Sequence, residues 1–405
     1  MRITGFEVFP FANPTPEIGG PVWMFVRLDT DAGISGYGEI FTSSLYSPPL
    51  TVARVIADFV EEFAIGEHPG RTERFVHRVY NSHYTRSGDL AKFAIASGVE
   101  IAMWDILGKA LGCPVHELLG GRMRDAVRMY SYISPPAGHD SDAFWTDDAA
   151  IAARCAELVD TGFTALKLDP FPLLTSDDDL AGQVVPVQPT ERQLAEAERI
   201  VAAVHAGVAG RASVIIGTHG QFTASGAVRV ARRLERFDPL WFEEPVPPEL
   251  PVEMAEVARH TGIPIAAGER LAGKAGFAAL ARLNAANIFN LDVTQVGGLL
   301  ESKKIAALAE ANGIQVTPHV FGGPLVAAAS LQLALTLPNL LVMEGNGVYD
   351  GTYADLLVDP IDWRDGSLHP SDRPGMGHDL NEDYAHAHAV ADESFQYRRP
   401  PRSYR

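Results

Sequence analysis

Cysteine is nearly absent from this 405-residue chain. Cys113 and Cys155 are the only two, which excludes a disulfide framework and makes a reducing cytoplasm the expected setting. Basic residues are scarce too. Thirty-three Lys+Arg stand against 51 Asp+Glu, a formal net charge of −18. A duplex nucleic-acid binder needs basic surface to neutralise phosphates, so that class is excluded. No uninterrupted apolar stretch reaches the roughly 18 residues of a membrane span. Residues 1–7 show neither the apolar run nor the small-residue cleavage site of a secretory signal, so no membrane association and a cytoplasmic location are expected.

Hydrophobic residues make up 46% and charged residues 21%, the balance of a soluble globular protein. The length suits two or three domains, or one large barrel with a companion. Residues 22–28 and 34–39 read as two short strands around the turn Asp29-Thr30-Asp31-Ala32-Gly33, a hairpin signal. Residues 51–63 and 91–111 read as helices. In the second, Ile95, Val99, Met103 and Ile106 recur at helical spacing, and Gly112-Cys113-Pro114 stops it. This first part is an α+β unit.

From about residue 125 the pattern changes. Short apolar runs at 128–133, 164–168, 213–216, 240–242, 264–267, 288–291, 315–317 and 340–343 alternate with helix candidates such as 226–237, 252–261, 299–312 and 325–337. Eight strands alternating with helices predict an α/β fold of the (β/α)8 (TIM) barrel type over an open doubly wound sheet. The expected division is 1–122, 123–345 and a tail of 346–405, whose last residues are expected to be poorly ordered. The connection between strands two and three is unusually long and carries the acidic run Asp177-Asp178-Asp179. A binding lid and a solvated insertion both remain open readings.

Barrel chemistry sits at the C-terminal strand ends. The runs end in Lys167 and Asp169, then His219, Glu243, Glu269, Asp292, His319 and Glu344, at intervals of 24, 26, 23, 27 and 25 residues. One strand–helix–strand repeat thus carries each to the next strand tip, and all face one mouth. Glu243 and Glu269 on neighbouring strands repel unless something positive lies between them. That is either Mg²⁺, suited to hard oxygen ligands, or a basic side chain such as Arg270 or Lys274. Asp292 beside His319 can fix the imidazole tautomer and raise its basicity, as a general base requires. Lys167 complements either a substrate carboxylate or Asp169.

Together these residues resemble the enolase superfamily, in its mandelate racemase/muconate lactonizing enzyme-like branch and near galactonate-type sugar-acid dehydratases. The marks are Thr30-Asp31-Ala32-Gly33-Ile34-Ser35-Gly36-Tyr37-Gly38-Glu39, Glu100-Ile101-Ala102-Met103-Trp104-Asp105, Trp241-Phe242-Glu243-Glu244-Pro245, Ala267-Gly268-Glu269-Arg270 and Thr317-Pro318-His319. The resemblance implies that residues 1–122 form a capping domain over the barrel mouth, completed by the C-terminal tail. It implies Glu243 and Glu269 as the second and third Mg²⁺ ligands, His319 with Asp292 as the base dyad, His219 as general acid, and Glu344 as a substrate-carboxylate contact. It also implies a homo-oligomer. The expected reaction is Mg²⁺-assisted dehydration of a small-molecule sugar acid, a carbon–oxygen lyase activity. One position departs from the pattern: the first metal ligand, an Asp or Glu in the family, is Gly217 here. The resemblance therefore leaves open a weakened Mg²⁺ site, a catalytically impaired paralogue, and a racemase or cycloisomerase of the same superfamily.

Overall fold

The computed structural model describes residues 1–391 except 17, 18, 44, 46, 83, 85, 137 and 172–185. The acidic run at 177–179 and the chain end from 392 onward, two segments singled out in the sequence, lie outside the described residues.

The N-terminal part is a three-stranded antiparallel sheet in the order β1 (Ile3–Ala12), β2 (Val22–Thr30), β3 (Ser35–Ile40). The expected hairpin is β2–β3. The strand β1 is additional, and its pattern is broken by Gly5 and Pro10. Proline is tolerated there because β1 is an edge strand. The free side of that edge accepts a hydrogen bond from Val390 N to Pro10 O (2.8 Å), so the tail covers it. Behind the sheet runs the helix Leu90–Leu111. Asp89 caps its start by accepting from Lys92 N, and Gly112 ends it at φ +70. Glycines set this packing. A Cβ on Gly36 would lie 2.5 Å from Ala102 O, and one on Gly38 would overlap Gly98 O. The Gly36-Tyr37-Gly38 stretch therefore lets β3 lie on the helix and carries Glu39 to the barrel.

Eight parallel strands form the second part: β4 (Val127–Tyr132), β5 (Ala165–Leu168), β6 (Ser213–Gly217), β7 (Trp241–Glu243), β8 (Ile265–Ala267), β9 (Ile288–Phe289), β10 (Gln315–Val316) and β11 (Met343–Gly345). Each pairs with the next through β10. The Val316–Leu340 bridge and the β11–β4 pairing close the ring. Helices between strands are capped from their own sequence, as where Thr190 and Gln193 form a reciprocal capping box at Glu191–Val208. The antiparallel pair β12 (Asp362–Arg364) and β13 (Ser367–His369) attaches to the start of β4, opposite the strand tips. The tail thus packs on the barrel as well as on the N-terminal sheet.

Two buried carboxylates tie the parts together. Glu39 accepts from Val326 N (2.9 Å) and Gly323 N at the start of the helix Pro324–Ala334. Glu100 accepts from Leu299 N (2.7 Å), Leu300 N (3.2 Å) and the Trp104 indole (2.6 Å), holding the start of the helix Leu299–Ala311. Glu100→Ala strands three donors, two of them buried, and should cost about 3 kcal/mol of stability in urea denaturation. Burial pushes Glu100 from 4.5 up to about 7, against the pull of those amides and the indole. The folded chain therefore holds this proton more tightly than the unfolded chain. That stabilisation is complete below pH 4.5 and is lost as pH rises through about 7. Glu100→Gln cannot ionise and should flatten this part of the thermal midpoint's pH profile.

Candidate active site at the barrel mouth

Strand alternation builds the site. Tyr130, Ala165, Ile215, Trp241, Ala266, Ile288 and Val342 form one buried cluster inside the ring. Two residues further along a strand, side chains face the same way. That places Tyr132, Lys167, Gly217, Glu243, Asn290 and Glu344 in the layer above, at the strand C-termini. On β8 the alternation would bring residue 268 inward. Gly268 sits instead at φ +147, where a Cβ would lie 2.6 Å from Phe277, and the kink brings Glu269 to the mouth.

Lys167 is 1% exposed and its ammonium lies among three carboxylates. It hydrogen-bonds Glu243 Oε1 and stands 3.7 Å from both Glu269 Oε2 and Glu344 Oε1. Glu243 also accepts from Trp241 Nε1 (2.8 Å), and Asn290 Nδ2 donates to Glu269 Oε2 (3.3 Å). His319 Nδ1 lies 2.8 Å from Asp292 Oδ2. Its Nε2 is 3.8 Å from Glu269 Oε2 and 3.6 Å from Glu344 Oε2. Glu344 is further fixed by Val320 N (3.0 Å). His219, at φ +47, stands across the mouth with Nδ1 3.4 Å from Asp169 Oδ2 and Nε2 3.7 Å from Glu269 Oε1. All eight residues singled out at the strand tips come together.

The electrostatics follow from the crowding. Burial lowers His319, but Glu344, Glu269 and Asp292 outweigh it and carry the ring up to about 10. Loss of water lowers His219, yet Asp169 and Glu269 raise it to about 9. Burial alone would lower Lys167; Glu243 and Glu344 hold it well above an ordinary lysine. Burial pushes Glu243 up to about 8, opposed by Lys167 and reinforced by Glu269. Glu269 resists burial and falls well below an ordinary glutamate, because His319, Lys167 and His219 all face it.

The positive group beside Glu243 and Glu269 is therefore Lys167. The alternatives named from sequence are used elsewhere: Arg270 pairs with Glu244 (2.6 Å) and Lys274 with Glu301 (2.7 Å). Asp169 is not the lysine's partner; Gln221 Nε2 (3.1 Å) and His219 hold it. Asn290 and Tyr132 are site-lining residues that the strand-end reading misses. Their signal is alternation, since Asn290 stands two before Asp292 and Tyr132 two after Tyr130. From the N-terminal part, Phe41 meets Phe321 with ring centroids 6.2 Å apart, beside the mouth.

A cap on a (β/α)8 barrel, with acids and imidazoles at consecutive strand tips, defines the enolase class of fold. Residues 150–384 match the family model described as enolase C-terminal domain-like. Residues 17–120 match that of the mandelate racemase/muconate lactonizing enzyme N-terminal domain. The chain belongs to the enolase superfamily, in its mandelate racemase-like branch with the galactonate-type dehydratases. It is 33% identical to a D-galactonate dehydratase of Variovorax paradoxus, over 95% of this chain and 93% of that one. It is 32% identical to a D-xylonate dehydratase of Haloferax volcanii, over 93% and 87%. A solved protein from Labrenzia alexandrii, described provisionally as a mandelate racemase/muconate lactonizing enzyme, superposes with TM-score 0.89 at 44% identity, over 97% and 98%. No described helix is long and apolar enough to cross a membrane.

Members of the superfamily generally use Mg²⁺. The donor set of this chain does not fit the ion. Magnesium demands a near-octahedral shell of hard oxygens at about 2.1 Å. Here one of three carboxylates is missing at Gly217, and an ammonium already bonds one of the remaining two.

Proposed function

We propose that the chain dehydrates a sugar acid. The observation that carries this reading is the pair of imidazoles on either side of Glu269, with Nε2 of His319 at 3.8 Å and Nε2 of His219 at 3.7 Å from its two oxygens. Both rings thus face the one carboxylate, each from its own strand tip. His319, oriented by Asp292 and in its unprotonated form, removes the proton α to the substrate carboxylate. The surrounding carboxylates move that form to higher pH, so the rate of this step should rise as pH rises towards about 10. Lys167 is the cation beside the charge that develops on that carboxylate. His219 gives its proton to the departing β-hydroxyl as water leaves. The enol that results tautomerises to a 2-keto-3-deoxy acid, so the balance is sugar acid to keto acid plus water.

Supporting this reading are the relatives named as sugar-acid dehydratases. Racemisation needs a base on the opposite face, and strand two offers none. Lys167 is bound as an ammonium and Asp169 is engaged by His219 and Gln221. The test is a panel of five- and six-carbon sugar acids, assayed for 2-keto acid. Formation of keto acid from at least one member is expected. Epimerisation at the α carbon with the β-hydroxyl retained would assign the racemase reading instead, and binding without turnover would assign the impaired paralogue.

A further inference from the structure

We propose that the Lys167 ammonium is this chain's built-in replacement for the divalent cation, and that Gly217 is the residue that gives it room. The assignment rests on the carboxylate cluster alone; only its use against a substrate carboxylate rests on the dehydratase reading.

Gly217 is not required by its backbone. It ends β6 without a positive φ, so any residue could adopt its conformation. What the glycine supplies is space. A Cβ at 217 would lie 3.2 Å from Lys167 Cε and 3.3 Å from the Tyr132 hydroxyl, tighter than ordinary contact. The lysine stem thus runs through the volume that an acidic side chain at 217 would enter. The Tyr132 and Tyr130 rings flank the ammonium, with centroids 5.1 and 5.8 Å away. An ammonium has three protons to give and no lone pair, and three carboxylates surround this one. A dication bridging Glu243 and Glu269 would stand within a few ångströms of this fixed positive charge. Glycine at 217 thus leaves out an anion and leaves room for the Lys167 ammonium beside the two remaining carboxylates.

The experiment is a Mg²⁺ titration by calorimetry at one ionic strength, on the wild type, Lys167→Met and Gly217→Asp, each checked for native circular dichroism. The wild type should show no binding up to about 5 mM. Lys167→Met removes the cation and should bring affinity into range, a gain of about tenfold or more. Gly217→Asp crowds the lysine stem and adds an anion, and should gain at least as much. One Mg²⁺ bound by the wild type below about 0.1 mM, or a folded Lys167→Met that gains nothing, would overturn the proposal. Should Lys167→Met fail to fold, a wild-type crystal soaked in Mn²⁺ decides. Lys167 Nζ bonded to Glu243 with no anomalous peak supports the proposal; a peak between Glu243 and Glu269 refutes it. None of these readouts uses a substrate, so they stand or fall apart from the dehydratase reading.

Discussion

His319→Asn should lose exchange of the substrate's α-proton with solvent, by the roughly 10²–10⁴-fold that a positioned proton acceptor contributes. At 1.36 kcal/mol per tenfold this is about 2.7–5.4 kcal/mol of barrier. The loss is chemical rather than structural, because Asp292 keeps its other partners in the variant. Thr294 N (2.7 Å), the Thr294 hydroxyl (2.5 Å) and Gln295 Nε2 (3.4 Å) all donate to its carboxylate. Asparagine is polar and smaller, so it fits without displacing its neighbours, and Glu344 keeps its bond to Val320 N. Hydrogen–deuterium exchange at the α carbon, followed by NMR, reads the step directly. Exchange at the wild-type rate would mean that another group takes the proton.

His219→Asn should separate the two halves of the reaction. The ring is 47% exposed on the side chain and sits at φ +47, a conformation that asparagine adopts readily. The backbone of the loop should therefore hold, with Gly220 N still donating to Glu244 O (2.7 Å). What disappears is the proton for the leaving hydroxyl. Elimination should slow by about 10²–10⁴-fold while α-proton exchange stays within about threefold of wild type. The opposite pattern, exchange lost with elimination, would make His219 part of the base rather than the acid.

The barrel was legible because its signal is local and repeated. Each strand is a short apolar run, and each polar tip follows the last by one strand–helix–strand repeat. The same regularity places His319 beside Asp292 and Glu243 beside Glu269 from sequence spacing alone. Elements without such a signal escaped. β1 carries Pro10, which only its edge position excuses, and β12 and β13 have three residues each, too few for a periodicity to show. The partner of Lys167 escaped for a different reason. It lies 76 residues away, and nothing in the local sequence chooses between Glu243, Asp169 and a ligand. The repulsion between two neighbouring carboxylates did predict a positive group; burial and strand register decided that it is a lysine. Gly217 read as a loss in sequence, whereas beside the Lys167 stem it reads as an accommodation.

The most direct test of the dehydratase reading is the position of deuterium in the product. The wild type is incubated in deuterium oxide with the sugar acid it turns over, and the product is examined by proton NMR. The account predicts a 2-keto-3-deoxy acid carrying solvent deuterium at C3, because the enol is protonated there after the hydroxyl has left. Recovery of the intact sugar acid with deuterium at its α carbon and inverted configuration, and no keto acid, would contradict it.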